Sequence, residues 1–154
     1  MSDEIPLGTL FTLLAILLIL SAFFSGTETA LMRVNKYRIR HLSRKGNREA
    51  KLTEKLLKHP EKLIAFILFG NNLVNFIAAS IVGVVSMKIG GPAGVAIGTL
   101  LLTLVVLLFA ESAPKTIAAI FPEKIALPAS RVYYPLVKMM TPILSIINFF
   151  TNII

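Results

Sequence analysis

The 154-residue sequence has no cysteine and no tryptophan, and it has only two histidines. The missing cysteine excludes a disulfide framework, a thiolate metal site and a cysteine nucleophile. Acidic residues are also scarce, with eight against sixteen lysines and arginines, and charged residues make up only 16% of the chain. A nucleic-acid-binding protein with this net positive charge would be far more polar. We therefore expect no nucleic-acid partner.

Apolar side chains are the abundant class and form 55% of the sequence. A helix needs about 20 apolar residues to cross a hydrocarbon core of ~30 Å. Three stretches reach that length and predict membrane spans at about residues 5–32, 61–88 and 93–113. The predicted fold class is an all-α membrane protein with three transmembrane helices, some of them broken, in a single domain over residues 1–154.

The segment between the first two spans, residues 33–60, is strongly basic. From Arg33 to Lys62 the chain has eleven lysines and arginines and three acids. Short basic loops remain in the cytoplasm. We expect a cytoplasmic helical loop here, in a multi-pass plasma-membrane protein whose N-terminus, with Asp3 and Glu4, lies outside and whose C-terminus is cytoplasmic. The same charge predicts attraction to the anionic lipids of the bilayer.

Residues 123–154 are apolar, but prolines and cations interrupt them. These are Pro128, Pro135, Pro142, Arg131 and Lys138. Prolines bend or break a helix, and long cationic side chains extend to the membrane surface. The pattern predicts a Pro-broken juxtamembrane helix that lies along the interface like a belt.

Polar residues gather at the end of the first span. Ser25-x-x-Glu28 forms a capping box, which predicts that the helix is interrupted and restarts at Ser25. A restart would leave the preceding carbonyls without partners. Those carbonyls and the hydroxyls of Ser21 and Ser25 are candidate oxygen ligands for a cation, and a broken helix favours a site role for Ser25 and Gly26. In the local alternative, Glu28 only caps the new helix.

An acidic residue, Glu111, ends the third span. An ionisable group in hydrocarbon costs at least about 2.5–3.5 kcal/mol, so its presence needs a reason. Pro114 cannot donate a hydrogen bond to the carbonyl of Ala110, so we expect a freed carbonyl beside the carboxylate. The alternative is an ion pair between Glu111 and Lys115 on one helical face.

Three asparagines lie in the first half of the second span: Asn71, Asn72 and Asn75. Membrane asparagines can simply hold helices together, and this alternative stays open. Because consecutive spans run antiparallel, the asparagines should lie level with Ser21 and Glu111. Hydroxyl, amide, carbonyl and carboxylate oxygens suit hard cations such as Mg²⁺ and Ca²⁺. These oxygens alone do not distinguish Mg²⁺ from Na⁺.

Three ordered motifs resemble the transmembrane domain of the cyclin M/CorC magnesium transporters. They are Ser25–Leu31 (SGTETAL), Gly70–Asn72 (GNN) and Ala110–Lys115 (AESAPK). The resemblance covers nearly the whole chain. It implies a Mg²⁺ efflux protein that works as a homodimer, holds largely dehydrated Mg²⁺ within the membrane, and allows coupling to Na⁺ entry.

The same resemblance assigns site residues. The ligands it implies are Ser21, Ser25, the Gly26 backbone, Asn72 and Glu111. The supporting residues are Asn71, Asn75, Pro114 and Lys115, while Glu28 is a ligand, a gate or only a cap. Family members continue into cytosolic cystathionine-β-synthase-type domains that bind ATP. This chain stops at Ile154, so we expect those regulatory domains, and ATP binding with them, to be absent from it.

Two other function classes compete with transport. A non-transporting membrane ion sensor or assembly module would use the polar clusters only to hold helices together. An intramembrane hydrolase would need Ser25 or Ser112 beside a base, but His41 and His59 both lie in the basic loop. We therefore expect no enzyme.

Gly90, Gly94 and Gly98 repeat every four residues at the start of the third span. Such a face of small residues permits close helix contact. It faces either a second subunit or another helix of the same chain.

Overall fold

The computed structural model describes residues 5–154, so Asp3 and Glu4 lie outside the described residues. Those residues form helices joined by short turns, without a strand. The elements are α1 (Leu7–Arg33), α2 (Lys36–Arg44), α3 (Arg48–Leu57), α4 (Pro60–Val105), a π-helix (Val106–Ser112), α5 (Ala113–Ile120) and α6 (Pro122–Ile153). Three helical stretches are long and apolar enough to cross a membrane: Leu7–Arg33, Pro60–Ile120 and Pro122–Ile153. The predicted all-α membrane fold is confirmed.

The chain divides into two compact units. Unit 1 comprises Met1–Ser25 and Gly70–Pro114, and unit 2 comprises Gly26–Phe69 and Lys115–Ile154. The chain therefore passes between the units three times. Each passage lies within or directly beside one of the three motifs found in the sequence.

Helix α1 is uninterrupted, so the restart predicted at Ser25 is wrong. Gly26 is helical as well, because the positive-φ glycines of the described chain are Gly46 and Gly91. The physical reason is the solvent. Lipid offers no hydrogen bonds to a broken backbone, and each unsatisfied group would cost several kcal/mol. A continuous ladder of backbone bonds avoids that cost, and Glu28 becomes a mid-helix residue.

Helix α4 reverses direction at Gly91. Its backbone there has φ 64° and ψ −156°, a conformation essentially restricted to glycine. Pro92 follows, where its fixed φ suits the first position of a new helix. The result is a hairpin of two limbs, residues 60–90 and 92–105, which correspond to the second and third predicted spans. Pro60 begins the first limb, as predicted.

Two glycines bring the hairpin limbs together within unit 1. A Cβ atom on Gly94 would lie 2.7 Å from the backbone oxygen of Ser86. A Cβ atom on Gly98 would lie 1.9 Å from the Ser86 hydroxyl. Space around Gly90 is open. Of the two alternatives for this glycine repeat, the structure therefore shows contact within the same chain, at Gly94 and Gly98.

The helix of the third predicted span continues past residue 113. It passes through the π-helix Val106–Ser112, in which the N–H of Ala113 donates to the carbonyl of Leu108, five residues earlier. It then continues as α5 with Pro114 in its first turn, where proline needs no hydrogen to donate. The wider π turn accommodates the missing donor, so the expected break becomes a change of helix type.

The basic loop is helical, as predicted, but it forms two helices. Gly46, with φ 94°, separates α2 from α3. Asn35 and Asn47 are the N-caps, and their side chains accept hydrogen bonds from backbone N–H groups two or three residues later. Asparagine is among the strongest N-cap residues, and these two positions define where each helix begins.

Helix α6 continues through all three of its internal prolines, so the breaks predicted there are absent. Each proline removes a backbone hydrogen bond. Burial of one face of α6 against the rest of unit 2 offsets the loss of these hydrogen bonds. The buried residues of α6 lie mostly three or four positions apart: Ala126, Ala129, Ser130, Tyr133, Val137 and Leu144.

Buried hydroxyl pairs connect α6 to the rest of unit 2. The fully buried Tyr133 hydrogen-bonds to the hydroxyl of Thr27, and its ring meets Phe66 edge-on at 5.9 Å between centroids. The hydroxyls of Thr53 and Ser130 lie 2.5 Å apart, with both residues fully buried. A buried polar atom without a partner is costly, so each pair favours one docking position of α6.

Two salt bridges supplement these contacts. Arg38 Nε lies 2.7 Å from Glu123 Oε2, and Arg131 Nη2 lies 3.1 Å from Glu49 Oε1. Both arginine side chains are two-thirds exposed, so each pair contributes at most about 1 kcal/mol. The buried face, rather than the ion pairs, holds α6 in place.

Replacing Gly94 by alanine should destabilise the hairpin, because the new methyl group would meet backbone that cannot rotate away. Overpacking of this kind costs about 1–3 kcal/mol. Gly83→Ala is the matched control, since the space around Gly83 is open. Thermal unfolding in detergent, followed by circular dichroism, should show a lower melting temperature for Gly94→Ala alone. Equal melting temperatures would contradict the close packing of the limbs.

Tyr133→Phe should lower the free energy of unfolding by about 0.5–1.5 kcal/mol, because it removes the hydrogen bond to Thr27 and keeps the ring against Phe66. Tyr37→Phe, at a residue that is 83% exposed, is the control and should leave stability unchanged. Denaturant titration of both variants measures the difference. An effect of the same size at Tyr37 would show that the buried contact is unimportant.

Candidate cation site in unit 1

The centre of the candidate site is a hydroxyl surrounded by amide oxygens. Ser21 in α1 is fully buried, and its Oγ donates to Asn75 Oδ1 at 2.7 Å and lies 3.2 Å from Asn71 Oδ1. These three oxygen atoms share a single hydroxyl hydrogen. Among these three oxygens the lone pairs outnumber the hydrogens, which makes them candidate ligands for a cation.

A second hydroxyl lies one helical turn away. Because α1 is continuous, Ser25 follows Ser21 by about 6 Å along the helix axis. Its side chain is 1% exposed, and its Oγ has no hydrogen-bond partner. A mid-helix hydroxyl commonly bonds to the carbonyl four residues earlier, as Thr12 does with Gly8. An orphaned buried hydroxyl costs about 1–3 kcal/mol, which a ligand would relieve.

Gly70 lets α1 approach α4 closely at this level. A Cβ atom on Gly70 would lie 2.6 Å from Cζ of Phe24. The aromatic ring thus rests where a side chain would otherwise stand, one helical turn from the serine–asparagine contacts. The glycine that precedes the asparagines therefore serves packing, which brings the two helices within hydrogen-bonding range.

Glu111 lies in the π-helix, at the far end of the hairpin, and is half-buried. Ser86 lies opposite Gly94 and Gly98, and Val82 lies opposite Gly98. Extending this antiparallel register along the limbs brings Glu111 level with Asn71. This register is compatible with the prediction that Glu111 lies at the depth of the serine–asparagine cluster, which stays a prediction.

The alternative in which Glu111 is neutralised by an ion pair does not hold in this structure. Within residues 5–154, its carboxylate forms neither a salt bridge nor a hydrogen bond, and the expected pair with Lys115 is not formed. Glu111 is thus a half-buried carboxylate with no basic side chain paired to it among the described residues.

The three asparagines differ in their contacts and in their exposure. Asn71 and Asn75 contact Ser21, whereas Asn72 is exposed and has no hydrogen bond among the described residues. Residues four positions apart share a helix face, and the neighbouring position is turned by about 100°. Asn71 and Asn75, which were predicted as supporting residues, are therefore the asparagines that contact Ser21. The predicted ligand Asn72 does not contact it.

The remaining predicted residues lie in or near the passages between the units. Gly26 is buried in α1, where its carbonyl lies inside a continuous helix rather than at a freed end. Glu28 is half-buried in the same helix, and Pro114 and Lys115 lie in the first turn of α5. Gly26, Glu28 and Lys115 belong to unit 2, while the serine–asparagine cluster belongs to unit 1.

The sequence analysis missed the π-helix and the hydrogen bond between Thr27 and Tyr133. Pro114 after a polar run was a usable signal for irregular helix. Thr27 had no such signal, because its partner is 106 residues away in the chain. Among the described residues, no three His, Asp or Glu side chains come together in a group that could hold a metal ion.

Comparison with known proteins identifies the family. Residues 12–154 match the family described as the cyclin M transmembrane N-terminal domain. The chain belongs to this family. The predicted resemblance is therefore confirmed, and it covers nearly the whole of this chain.

Individual relatives agree with this family. A UPF0053 protein of Haemophilus influenzae is 51% identical over 150 residues, which cover 97% of this chain and 36% of the relative. The UPF0053 inner membrane protein YfjD of Escherichia coli is 50% identical over 135 residues, which cover 88% of this chain and 32% of the relative. A chloroplastic DUF21 domain-containing protein of Arabidopsis thaliana is 33% identical over 114 residues, which cover 74% of this chain and 17% of the relative.

The chain thus spans about a third of the length of the two bacterial relatives it matches. Its apolar helices and its inner-membrane relative identify a multi-pass membrane protein. Its family is of the membrane-transporter type and is not a known enzyme family.

Asn75→Ala should lower the free energy of unfolding by about 0.6–2 kcal/mol, the range for a polar contact between membrane helices. Asn72→Ala should have little effect on stability, because that side chain is exposed and unbonded. Apparent melting temperatures in the same detergent compare the two. If Asn72→Ala were the more destabilising, the assignment of Asn75 as the residue that holds Ser21 would be wrong.

Proposed function

We propose that this chain is the membrane domain of a Mg²⁺ exporter that works by alternating access. The observation that carries the proposal is the group of oxygens in which the buried Ser21 hydroxyl meets the half-buried Asn71 and Asn75, together with the orphaned hydroxyl of Ser25. Membership of a family generally linked to divalent cation transport supports it. Mg²⁺ is the cargo here, and the oxygen cluster is where it is recognised.

The ligands we propose are Ser21, Ser25, the Gly26 backbone, Asn72 and Glu111. Glu111 supplies the negative charge, and the serine hydroxyls supply neutral oxygens. Asn71 and Asn75 hold Ser21 while no ion is bound. When an ion arrives, the Ser21 oxygen can turn from the two asparagine oxygens toward the cation. Pro114 and Lys115 support the site by shaping the chain after the carboxylate.

The chemistry of this set favours a hard cation that must also be released. Mg²⁺ is usually bound through one or two carboxylates with neutral oxygens around them, whereas transition metals recruit imidazole or thiolate. A single carboxylate is a modest supply of charge. It suits transport, in which an ion must leave as well as enter, better than a tight structural metal site.

The wider arrangement is also part of the proposal. The exporter works as a homodimer, with a Na⁺ gradient as the driving force. Its N-terminus lies outside, and its basic loop and C-terminus lie in the cytoplasm, next to anionic lipids. The α6 helix lies along that interface, because its prolines and the cations Arg131 and Lys138 disfavour a straight crossing. ATP acts through cytosolic domains outside this chain.

The competing function is a membrane ion sensor or assembly module that moves no ion. The contacts of Ser21 with Asn71 and Asn75 are consistent with this function, because they would hold α1 against α4 even if no ion were transported. Ser25 and Glu111 distinguish the two functions, because neither side chain has a bond that would explain its place as helix packing.

The first test is calorimetric titration of the detergent-purified chain with Mg²⁺. Ser25→Ala, Asn72→Ala and Glu111→Gln should each weaken binding, with Glu111→Gln losing more than tenfold, since even indirect metal contacts typically contribute ~10–100-fold. Ser80→Ala is the matched control, because the exposed Ser80 hydroxyl bonds only its own helix, at Phe76 O. Unchanged binding in Glu111→Gln would overturn the site.

The second test follows Mg²⁺ movement in liposomes that contain a Mg²⁺-sensitive dye. The wild type should move Mg²⁺ when a Na⁺ gradient is imposed, and Glu111→Gln should not, although it folds and elutes like the wild type. Mg²⁺ binding without movement would support the sensor function. Movement in Glu111→Gln would remove this carboxylate from the mechanism.

A further inference from the structure

Unit 2 contains a basic cavity, and none of its lining residues belongs to the candidate cation site. It has a volume of about 160 Å³ and lies between α3, the start of α4 and α6. Lys55, Lys62 and Lys138 line it from the three helices, and Leu56 and Val137, both at least 92% buried, form its apolar floor. Three ammonium groups around one apolar floor favour the binding of an anion.

The charge of this cavity is not cancelled locally. No acidic residue is among its lining residues in the described chain. Glu61 lies 3.7 Å from the rim residue His59, but both side chains are more than half exposed and lie toward solvent. Arg131, in the same helix as Lys138, is already paired with Glu49. The lysines are therefore the charges that a ligand would meet.

One lysine is held in place for such a ligand. The Nζ atom of Lys55 lies 5.5 Å from the centre of the Tyr134 ring, a cation–π distance. Tyr134 also lines the cavity. Fixing a flexible ammonium group before binding reduces the entropy that an anionic ligand would otherwise lose.

A second basic groove in unit 2 provides the comparison. It is lined by Lys36, Arg40 and Lys58, and its volume is about 130 Å³. Glu54 lines it too, so it carries its own counter-charge. Basic charge alone is thus common on this unit, whereas a cluster of lysines without a lining acid is the particular feature of the cavity at Lys55.

The size and surroundings of the cavity define its ligand. Pockets for drug-sized molecules span roughly 300–1,000 Å³, so this cavity fits one phosphate group better than a nucleotide. Another face of α6 exposes apolar side chains at Met139, Ile143 and Ile146, so the helix that lines the cavity also presents a surface suited to acyl chains. A membrane lipid can lie against such a helix and place its headgroup in the cavity, whereas free phosphate would gain nothing from the apolar surface.

We infer that the cavity formed by Lys55, Lys62 and Lys138 binds the phosphate group of an anionic membrane lipid. Basic pockets beside membrane helices commonly hold lipid headgroups in this manner. The lipid joins α3, α4 and α6 through one headgroup and stabilises unit 2. This inference is independent of Mg²⁺ transport, because none of its residues belongs to the cation site.

The test is native mass spectrometry of the delipidated chain with phosphatidylglycerol, phosphatidylcholine or inorganic phosphate. The wild type should bind phosphatidylglycerol tightly and prefer it to phosphatidylcholine of equal chain length. The double variant Lys62→Gln/Lys138→Gln should lose about thirtyfold in affinity, since one lysine near an anionic headgroup contributes roughly fivefold. Lys36→Gln/Lys58→Gln is the control with the same change in net charge.

Three results would overturn the inference: equal losses in both double variants, equal binding of the two lipids, or displacement of phosphatidylglycerol by inorganic phosphate. The first would reduce the effect to net charge, and the last would make free phosphate the ligand. Lys138→Gln alone guards against misfolding, because this exposed side chain can be changed without disturbing the core. It should lose about fivefold while circular dichroism and elution volume stay the same.

Discussion

Hydrocarbon offers no hydrogen bonds, and the backbone of this protein is organised around that absence. Each N–H and C=O within the membrane must be satisfied by the chain itself. Helix α1 therefore continues through a serine–glycine motif that would interrupt a helix in water. The third span likewise accepts a π-helix and a proline without a break, because a change of helix type preserves more hydrogen bonds than an interruption. Continuity of the backbone sets the spacing of every polar side chain described here.

That continuity also explains the geometry of the candidate cation site. On an unbroken α1, Ser21 and Ser25 necessarily face the same direction, and the same logic places Asn71 and Asn75 together on α4. Close packing at Gly70 then brings serine and asparagine within hydrogen-bonding distance. The site is thus built from ordinary helices with small residues at their contact.

The sequence predicted the fold better than the site. Long uncharged stretches determined the spans, and Pro60 correctly marked the start of α4. The errors occurred where a local rule from aqueous helices was applied in the membrane: the capping box at Ser25 and the breaks at the prolines of α6. Propensity rules describe competition with water, and inside lipid or a packed unit that competitor is missing. The contact of Asn75 rather than Asn72 with Ser21 needed the rotation of one helix about its axis, which periodicity alone leaves undetermined.

The reversal at Gly91 has a consequence for how the protein enters the membrane. Between Lys62 and Glu111 the sequence contains a single charged residue, Lys88, which lies close to this turn. The turn leaves no hydrophilic loop that would have to be carried across. Inserting the two limbs together therefore requires the transfer of just one ammonium group through the hydrocarbon, and the limbs bury their glycine contact in the same step. The two limbs are thus suited to enter the bilayer together as one helical hairpin.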